Sequence, residues 1–316
     1  MTKPFDPSND IPDLGGKVAL VTGGNAGIGS ATVRALAEHN PACIYLCARR
    51  VSSGEEVVRS IHEQHPNANI RVLELDLNSF DSVNKCAEEF SRLSDRLDLL
   101  FLNAGVSAEK ASLTQEGYEH QFGINHMGHA LLTQLLMPTL LKTQRQNEDA
   151  DVRIIAVSSI GGHSFVPKTG LALDQMKTDG SSLATMTRYG HSKLANILFA
   201  KRLAQLYPSI LSTSCHPGLV KSEIWGKAGG AKLMSWLISP VVWAAGISTD
   251  DGAKTLLWCA TAPKGNGAVE NGKFYIPIGK EKEDNRHASD PKLADELWQW
   301  TSKELEAHGG PGWPKA

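Results

Sequence analysis

Short apolar runs bounded by Gly, Pro and polar clusters alternate along this chain with stretches whose apolar positions recur every three or four residues. Lys17–Thr22 (KVALVT) is the first such run and predicts a buried strand; Ile28–His39 then takes helical spacing and stops before Pro41. Cys43–Cys47 predicts a second strand, Ser52–His65 a helix ending at Pro66, Ile70–Leu75 a third strand and Ser79–Leu93 a helix. Leu97–Leu102 and Val152–Val157 predict strands four and five, joined by a long helical run from about Gln115 to Lys142. The alternation continues with a helix over Arg188–Tyr207, a strand over Ile210–Cys215, a helix over Asp250–Cys259, a strand over Lys273–Ile276 and a last helix over Pro291–Glu306. Regular strand–helix alternation implies parallel strands with right-handed crossovers. The expected architecture is therefore α/β: a doubly wound parallel sheet with helices on both faces, in a single domain spanning 1–316 with its core at about 15–280.

Composition narrows what such a domain does. Of its 316 residues 41% are apolar and 21% charged, with a net charge of −2. No clustered basic surface is available for phosphate backbones, so nucleic acid is not an expected partner. The five cysteines are odd in number and scattered, without a C-x-x-C, which predicts reduced thiols and neither a disulfide framework nor a zinc site. His120, His126 and His129 share one predicted helix, but no carboxylate or cysteine completes a ligand set by spacing, and no metal is expected. The polar, Pro-rich start (MTKPFDPSNDIPDL) lacks a signal-peptide apolar region, and no stretch reaches membrane-spanning length, so the expected location is the cytoplasm. Leu233–Ile247 (LMSWLISPVVWAAGI) is uncharged but short and holds Pro240. It reads as a lid over an apolar pocket, with peripheral membrane contact as the alternative.

The strongest chemical signal is the turn T-G-G-N-A-G-I-G, Thr22 to Gly29, between the first strand and the first helix. Glycines there let the backbone approach a pyrophosphate at the positive end of the helix. The spacing G-x-x-x-G-x-G (Gly23, Gly27, Gly29) is followed in order by Asp76, Asn103-Ala104-Gly105, Asn125, Ser158-Ser159, Tyr189-x-x-x-Lys193 and Pro217-Gly218. With these motifs the chain resembles the short-chain dehydrogenase/reductase family, a Rossmann-type fold, over roughly residues 15 to 280. His191–Phe199 (HSKLANILF) is similar to its retinol dehydrogenase and WW-domain oxidoreductase branch, and the C-terminal pattern to fungal members, without a WW module.

Tyr189 and Lys193 lie four apart on one predicted helix face. A neighbouring ammonium favours the phenolate, which makes the tyrosine usable as acid and base. The resemblance implies Ser159, in preference to Ser158, as hydrogen-bond donor to the substrate oxygen, and Asn125 as part of a water-linked relay with Lys193. It further implies cofactor contacts from Gly23, Asn25, Gly27, Ile28, Gly29, Asp76, Leu77, Asn103, Ala104, Gly105, Tyr189, Lys193, Pro217, Gly218, Val220 and Ser222. At the end of strand two, where NAD enzymes carry an acid, the chain has Cys47-Ala48-Arg49-Arg50. That predicts NADP(H), with Arg49 on the 2′-phosphate and Arg50 as second choice. Thirty residues separate Ser159 from Tyr189, so His163–Thr187 is expected to loop out beside the active site. The resulting reading is an NADP(H)-dependent oxidoreductase interconverting a carbonyl and an alcohol on a lipophilic small molecule; the alternative is a catalytically inactive nucleotide-binding scaffold. Monomer and homodimer both remain open.

Overall fold

The computed structural model describes residues 5–146, 150–221, 246–265, 268–282 and 285–316. In chain order the elements are α1 (Pro7–Asp10), β1 (Val18–Thr22), α2 (Gly27–Ala37), β2 (Cys43–Ala48), α3 (Val51–His62), β3 (Ile70–Glu74), α4 (Phe80–Leu93) and β4 (Leu99–Leu102). Then come α5 (His120–Phe122), a π turn over Gly123–Met127, α6 (Gly128–Gln144), β5 (Arg153–Val157), α7 (Gly161–Ser164), a 3-10 segment over Leu173–Lys177 and α8 (Thr185–Leu206). The last are β6 (Leu211–Cys215), α9 (Thr249–Thr261), β7 (Phe274–Ile276), β8 (Lys280–Glu281) and α10 (Pro291–Ala307).

The strands form one sheet in the order β3-β2-β1-β4-β5-β6-β7-β8, parallel throughout except for the short β8, which runs antiparallel to β7. The central strands β1, β2, β4 and β5 read as near-continuous apolar runs because both faces of the sheet are covered there. Val18 and Leu20, Leu100 and Leu102, Ile154 and Ala156 enter one core with α4, α6, α8 and α10. Their neighbours Ala19 and Val21, Leu99 and Phe101, Ile155 and Val157 enter the other, with α2, α3 and α9. Strand order reverses between β1 and β4, which opens a crevice at their carboxyl ends, where doubly wound sheets bind ligands.

Two expectations are corrected. The single helix from about Gln115 does not begin until His120. Gly117 takes φ +85°, and the Glu119 side chain accepts from the Phe122 N–H to cap the start. The helix then widens into the π turn that carries Asn125 before α6 begins. The segment 163–187 does not simply loop out. Leu173 and Met176 are buried, the Met176 carbonyl accepts from Glu119 N at 2.9 Å, and Lys177 reaches Glu304 of α10 at 2.9 Å. The C-terminal region completes this side of the molecule: Trp298 and Trp313 pack at 4.4 Å, and both meet Phe199 of α8. Among the described residues no helix is long and apolar enough to cross a membrane. The lid expectation at Leu233, Trp236, Leu237, Val241, Val242 and Trp243 lies outside the described residues, as does Ser222. The described residues on either side of this segment pair, with Lys221 N donating to Ile247 O and Ile247 N to Leu219 O.

Candidate active site

The turn after β1 is shaped by its glycines. Gly23 (φ +66°) and Gly27 (φ +56°) take left-handed backbone that strains any side chain. A Cβ at Gly29 would fall 2.2 Å from the Gly23 carbonyl oxygen, so only glycine lets the first turn of α2 close on the strand end. A Cβ at Gly23 would meet Ala104 Cα at 3.1 Å, which shows how tightly the turns after β1 and β4 abut. Asn25 donates to Ser53 Oγ at 3.1 Å, tying this turn to the start of α3. Ile28 is half-buried near Gly252 of α9. Arg49 and Arg50 follow β2, exposed and without an ion pair among the described residues. Asp76 is half-buried and accepts from Asn78 N, while Leu77 is buried against Gly128, so its side chain belongs to the core.

The turn Asn103-Ala104-Gly105 hangs on Thr22. Asn103 N and Ala104 N both donate to Thr22 Oγ1, at 2.9 and 3.0 Å, and Asn103 Nδ2 donates to Thr22 O. His129 Nε2 lies 2.9 Å from the same hydroxyl, and its Nδ1 lies 3.0 Å from the Asn125 carbonyl. That carbonyl can only accept, so Nδ1 carries the proton. Burial holds this imidazole neutral, with its pKa pushed down to about 4, so Nε2 accepts from Thr22. Neither Thr22 nor His129 was singled out from the sequence for this site. The spacing of His129, one helical turn after Asn125, is the signal that could have flagged it.

On the other side of the crevice β5 and α8 bring the remaining residues together. The two serines separate clearly. Ser158 is buried and donates to the Lys193 carbonyl at 2.6 Å, whereas the half-buried Ser159 hydroxyl accepts from Gly161 N at 3.1 Å and faces the phenol of Tyr189, drawing its pKa down. Lys193 Nζ is buried, donates to Val157 O at 3.1 Å and lies 5.7 Å from the Tyr189 ring centroid. Asn125 is held by paired bonds to Val106, at 2.8 and 3.0 Å, and donates to Ser192 Oγ at 2.9 Å; Ser192 in turn donates to Tyr189 O. Gly105 sits between Asn125 and Lys193: a Cβ there would meet Asn125 Oδ1 at 3.0 Å and Lys193 Nζ at 3.4 Å. Beyond β6, Gly218 (φ +97°) turns the chain against Ile247 and Pro277, and Val220 is buried against Gly252.

The electrostatics differ from the expectation on one point. Burial raises the Tyr189 pKa above the usual phenol value, and the neighbouring Ser159 hydroxyl pulls it back only in part. The Lys193 ammonium donates to the Val157 carbonyl and is itself discouraged by burial, with its pKa pushed down to about 8. Burial also holds His216, which follows β6, neutral, at about 4.

The arrangement places a tight glycine turn at the reversal of strand order together with a serine, a phenol and a buried ammonium. Known proteins match it at both levels. A family model described as short chain dehydrogenase matches residues 17–171. An uncharacterised oxidoreductase of Schizosaccharomyces pombe is 36% identical over 302 residues, covering 94% of this chain and 87% of that protein. Retinol dehydrogenase 12 of Mus musculus is 36% identical over 285 residues, covering 90% and 84%. In shape, the NADPH-bound carbonyl reductase from chicken fatty liver superposes with a TM-score of 0.62 at 21% identity, covering 89% of this chain and 99% of that one.

Proposed function

The chain belongs to the short-chain dehydrogenase/reductase family, on its retinol dehydrogenase-like branch, and from that premise we propose that it interconverts a carbonyl and an alcohol on an apolar small molecule, using NADP(H). That it is an oxidoreductase follows from the family; the cofactor, the substrate class and the residue roles are our reading. The observation that carries it is the grouping of Ser159, Tyr189 and Lys193 at the carboxyl edge of the sheet, with the buried Lys193 Nζ 5.7 Å from the Tyr189 ring centroid.

The residues present fit a dinucleotide. Glycine at 23, 29 and 105 leaves space and turn geometry that a Cβ would remove. The N-terminus of α2 offers unpaired N–H groups to a pyrophosphate, with Gly23, Asn25, Gly27, Ile28 and Gly29 around it. Arg49 would take the 2′-phosphate, and Asp76 with the backbone of Leu77 the adenine. Asn103, Ala104, Gly105, Tyr189 and Lys193 would lie along the ribose and nicotinamide, while Pro217, Gly218, Val220 and Ser222 would hold the carboxamide. When bound, NADP(H) supplies or accepts the hydride.

Everything else is done by side chains of this protein. Ser159 donates to the substrate oxygen and, standing beside Tyr189, sets that oxygen next to the phenol. Tyr189 gives its proton to the oxygen in reduction and takes it in oxidation. Lys193, charged below about pH 8, stabilises the phenolate that results, and Asn125 positions the helix turn behind it. The NADPH in the chicken reductase and the retinol of the mouse enzyme's name support, respectively, the phosphorylated cofactor and an apolar alcohol or carbonyl.

Tyr189→Phe keeps the ring and removes the transferable proton. Turnover of NADPH with a panel of aldehydes and ketones is expected to disappear in this variant, with NADPH binding nearly unchanged in a fluorescence titration. Near-normal turnover would reject Tyr189 as the acid/base. A wild type that binds NADPH yet reduces nothing in the panel, and oxidises none of the matching alcohols, would favour the scaffold alternative.

A further inference from the structure

The short helix α7, which leaves Ser159 and ends beside Tyr189, has apolar residues at both caps. An N-cap ordinarily holds a short polar side chain that bonds the first free N–H groups. Here it is Ile160, which makes no such bond and is 42% exposed. The C-cap is Phe165, 41% exposed, with its N–H on the Gly161 carbonyl at 3.0 Å. Neither residue is there for helix termination, and neither is buried in a core.

Glycines hold Phe165 in place. A Cβ at Gly190, the residue after Tyr189, would fall 2.9 Å from Phe165 Cβ and 3.0 Å from its carbonyl carbon. Any side chain at position 190 would therefore expel Phe165 from its seat on α8. A Cβ at Gly161 would be 3.0 Å from Phe165 Cδ2 and 3.2 Å from Tyr189 Cε1, the ring carbon next to the one bearing the hydroxyl. The edges of the two rings thus converge on one point, at the phenol end of Tyr189. Large exposed apolar side chains are unremarkable singly. Phe165, seated by two glycines beside the Tyr189 ring, and Ile160, next to Ser159 in the chain, are the apolar residues that border the two reacting hydroxyls.

We propose that Phe165, with Ile160, is the specificity-determining wall that receives the apolar substituent of the substrate when its oxygen lies between Ser159 and Tyr189. This rests on the carbonyl–alcohol reading above and names the part of the substrate that these residues select. Its chemistry is a hydrocarbon chain or ring attached to the reacting carbon, because the wall offers contact area without a hydrogen-bonding group.

The test measures dissociation constants of 1-octanol and 1-propanol for the full chain saturated with NADP+, in wild type, Phe165→Ala and Phe165→Leu. Wild type is expected to bind octanol much more tightly than propanol. Phe165→Ala should weaken octanol at least about tenfold, as loss of apolar contact in a binding pocket does. Propanol binding and the melting temperature should barely move, and Phe165→Leu should restore most of the loss. Octanol binding unchanged in Phe165→Ala, equal loss for both alcohols, or no wild-type preference would each overturn the proposal. The readout needs no turnover. Octanol selectivity that depends on Phe165, in a protein that converts no alcohol or carbonyl, would leave this wall standing and defeat the catalytic reading instead.

Discussion

At the scale of single residues the site is built from groups whose neighbours decide their use. Adjacent serines, 158 and 159, differ in role because one hydroxyl is spent on the Lys193 carbonyl and the other faces the Tyr189 phenol. Arg49 shows the opposite condition: an exposed guanidinium with no ion pair among the described residues is available to a ligand at no cost in broken bonds. A charge-assisted hydrogen bond contributes about 1.5–3 kcal/mol, roughly a tenfold to hundredfold effect on affinity. Arg49→Ala is therefore expected to weaken NADPH at least about tenfold while leaving NADH nearly unchanged. Titration of both cofactors checks it, and a wild type that prefers NADH would contradict the assignment.

At the scale of elements, the Ser159 loop is held against α8 by missing side chains. A Cβ at Gly162 would sit 2.8 Å from Leu194 N and 2.9 Å from Lys193 C, both backbone atoms in the middle of a helix. Neither can give way cheaply, so Gly162→Ala must push α7 outward and move Ser159 away from Tyr189. Overpacking of this kind costs about 1–3 kcal/mol. The variant is expected to melt several degrees lower and to lose turnover, while NADPH affinity, set mainly across the crevice at β1 and α2, stays close to wild type. Equal loss of cofactor binding would show that α7 and the glycine turn are not separable in this way. The π turn works similarly for Asn125. It widens the helix where that residue must meet Val106 and Ser192, and His129 braces its carbonyl from one turn further on.

For the whole molecule, the relevant quantity is how many ionisable groups the two cores keep neutral. Burial depresses His126 to about 3 and His129, His191 and His216 to about 4. Each folded-state value lies below the unfolded value near 6.5, so the unfolded chain takes up protons first as pH falls. Their stability contribution is complete above about pH 6.5 and is lost progressively toward pH 4, each histidine adding about 1.4 kcal/mol per pH unit to the slope. Urea midpoints are expected to fall steeply from pH 7 to pH 5. A flat profile over that range would mean that these imidazoles are reached by solvent and titrate normally.

The α/β alternation, the order of elements and the glycine turn were legible because each is a local property of the chain. Two-sided burial writes a strand as an apolar run, 3.6-residue spacing writes a helix, and a left-handed turn demands glycine. The candidate residues Gly23, Ser159, Tyr189 and Lys193 could be named for the same reason, as short motifs at fixed places between elements. Helix boundaries were less secure where tertiary partners intervene, as at Glu119 and in the π turn that splits the run begun at Gln115. Packing decided the rest. Which partner holds the Lys193 ammonium, how Thr22 and His129 join two turns, and where Phe165 rests all depend on residues about 25 to over 100 positions apart. Those distances are set by β1, β5, α6 and α8 closing over one another, and no local spacing in the sequence encodes them.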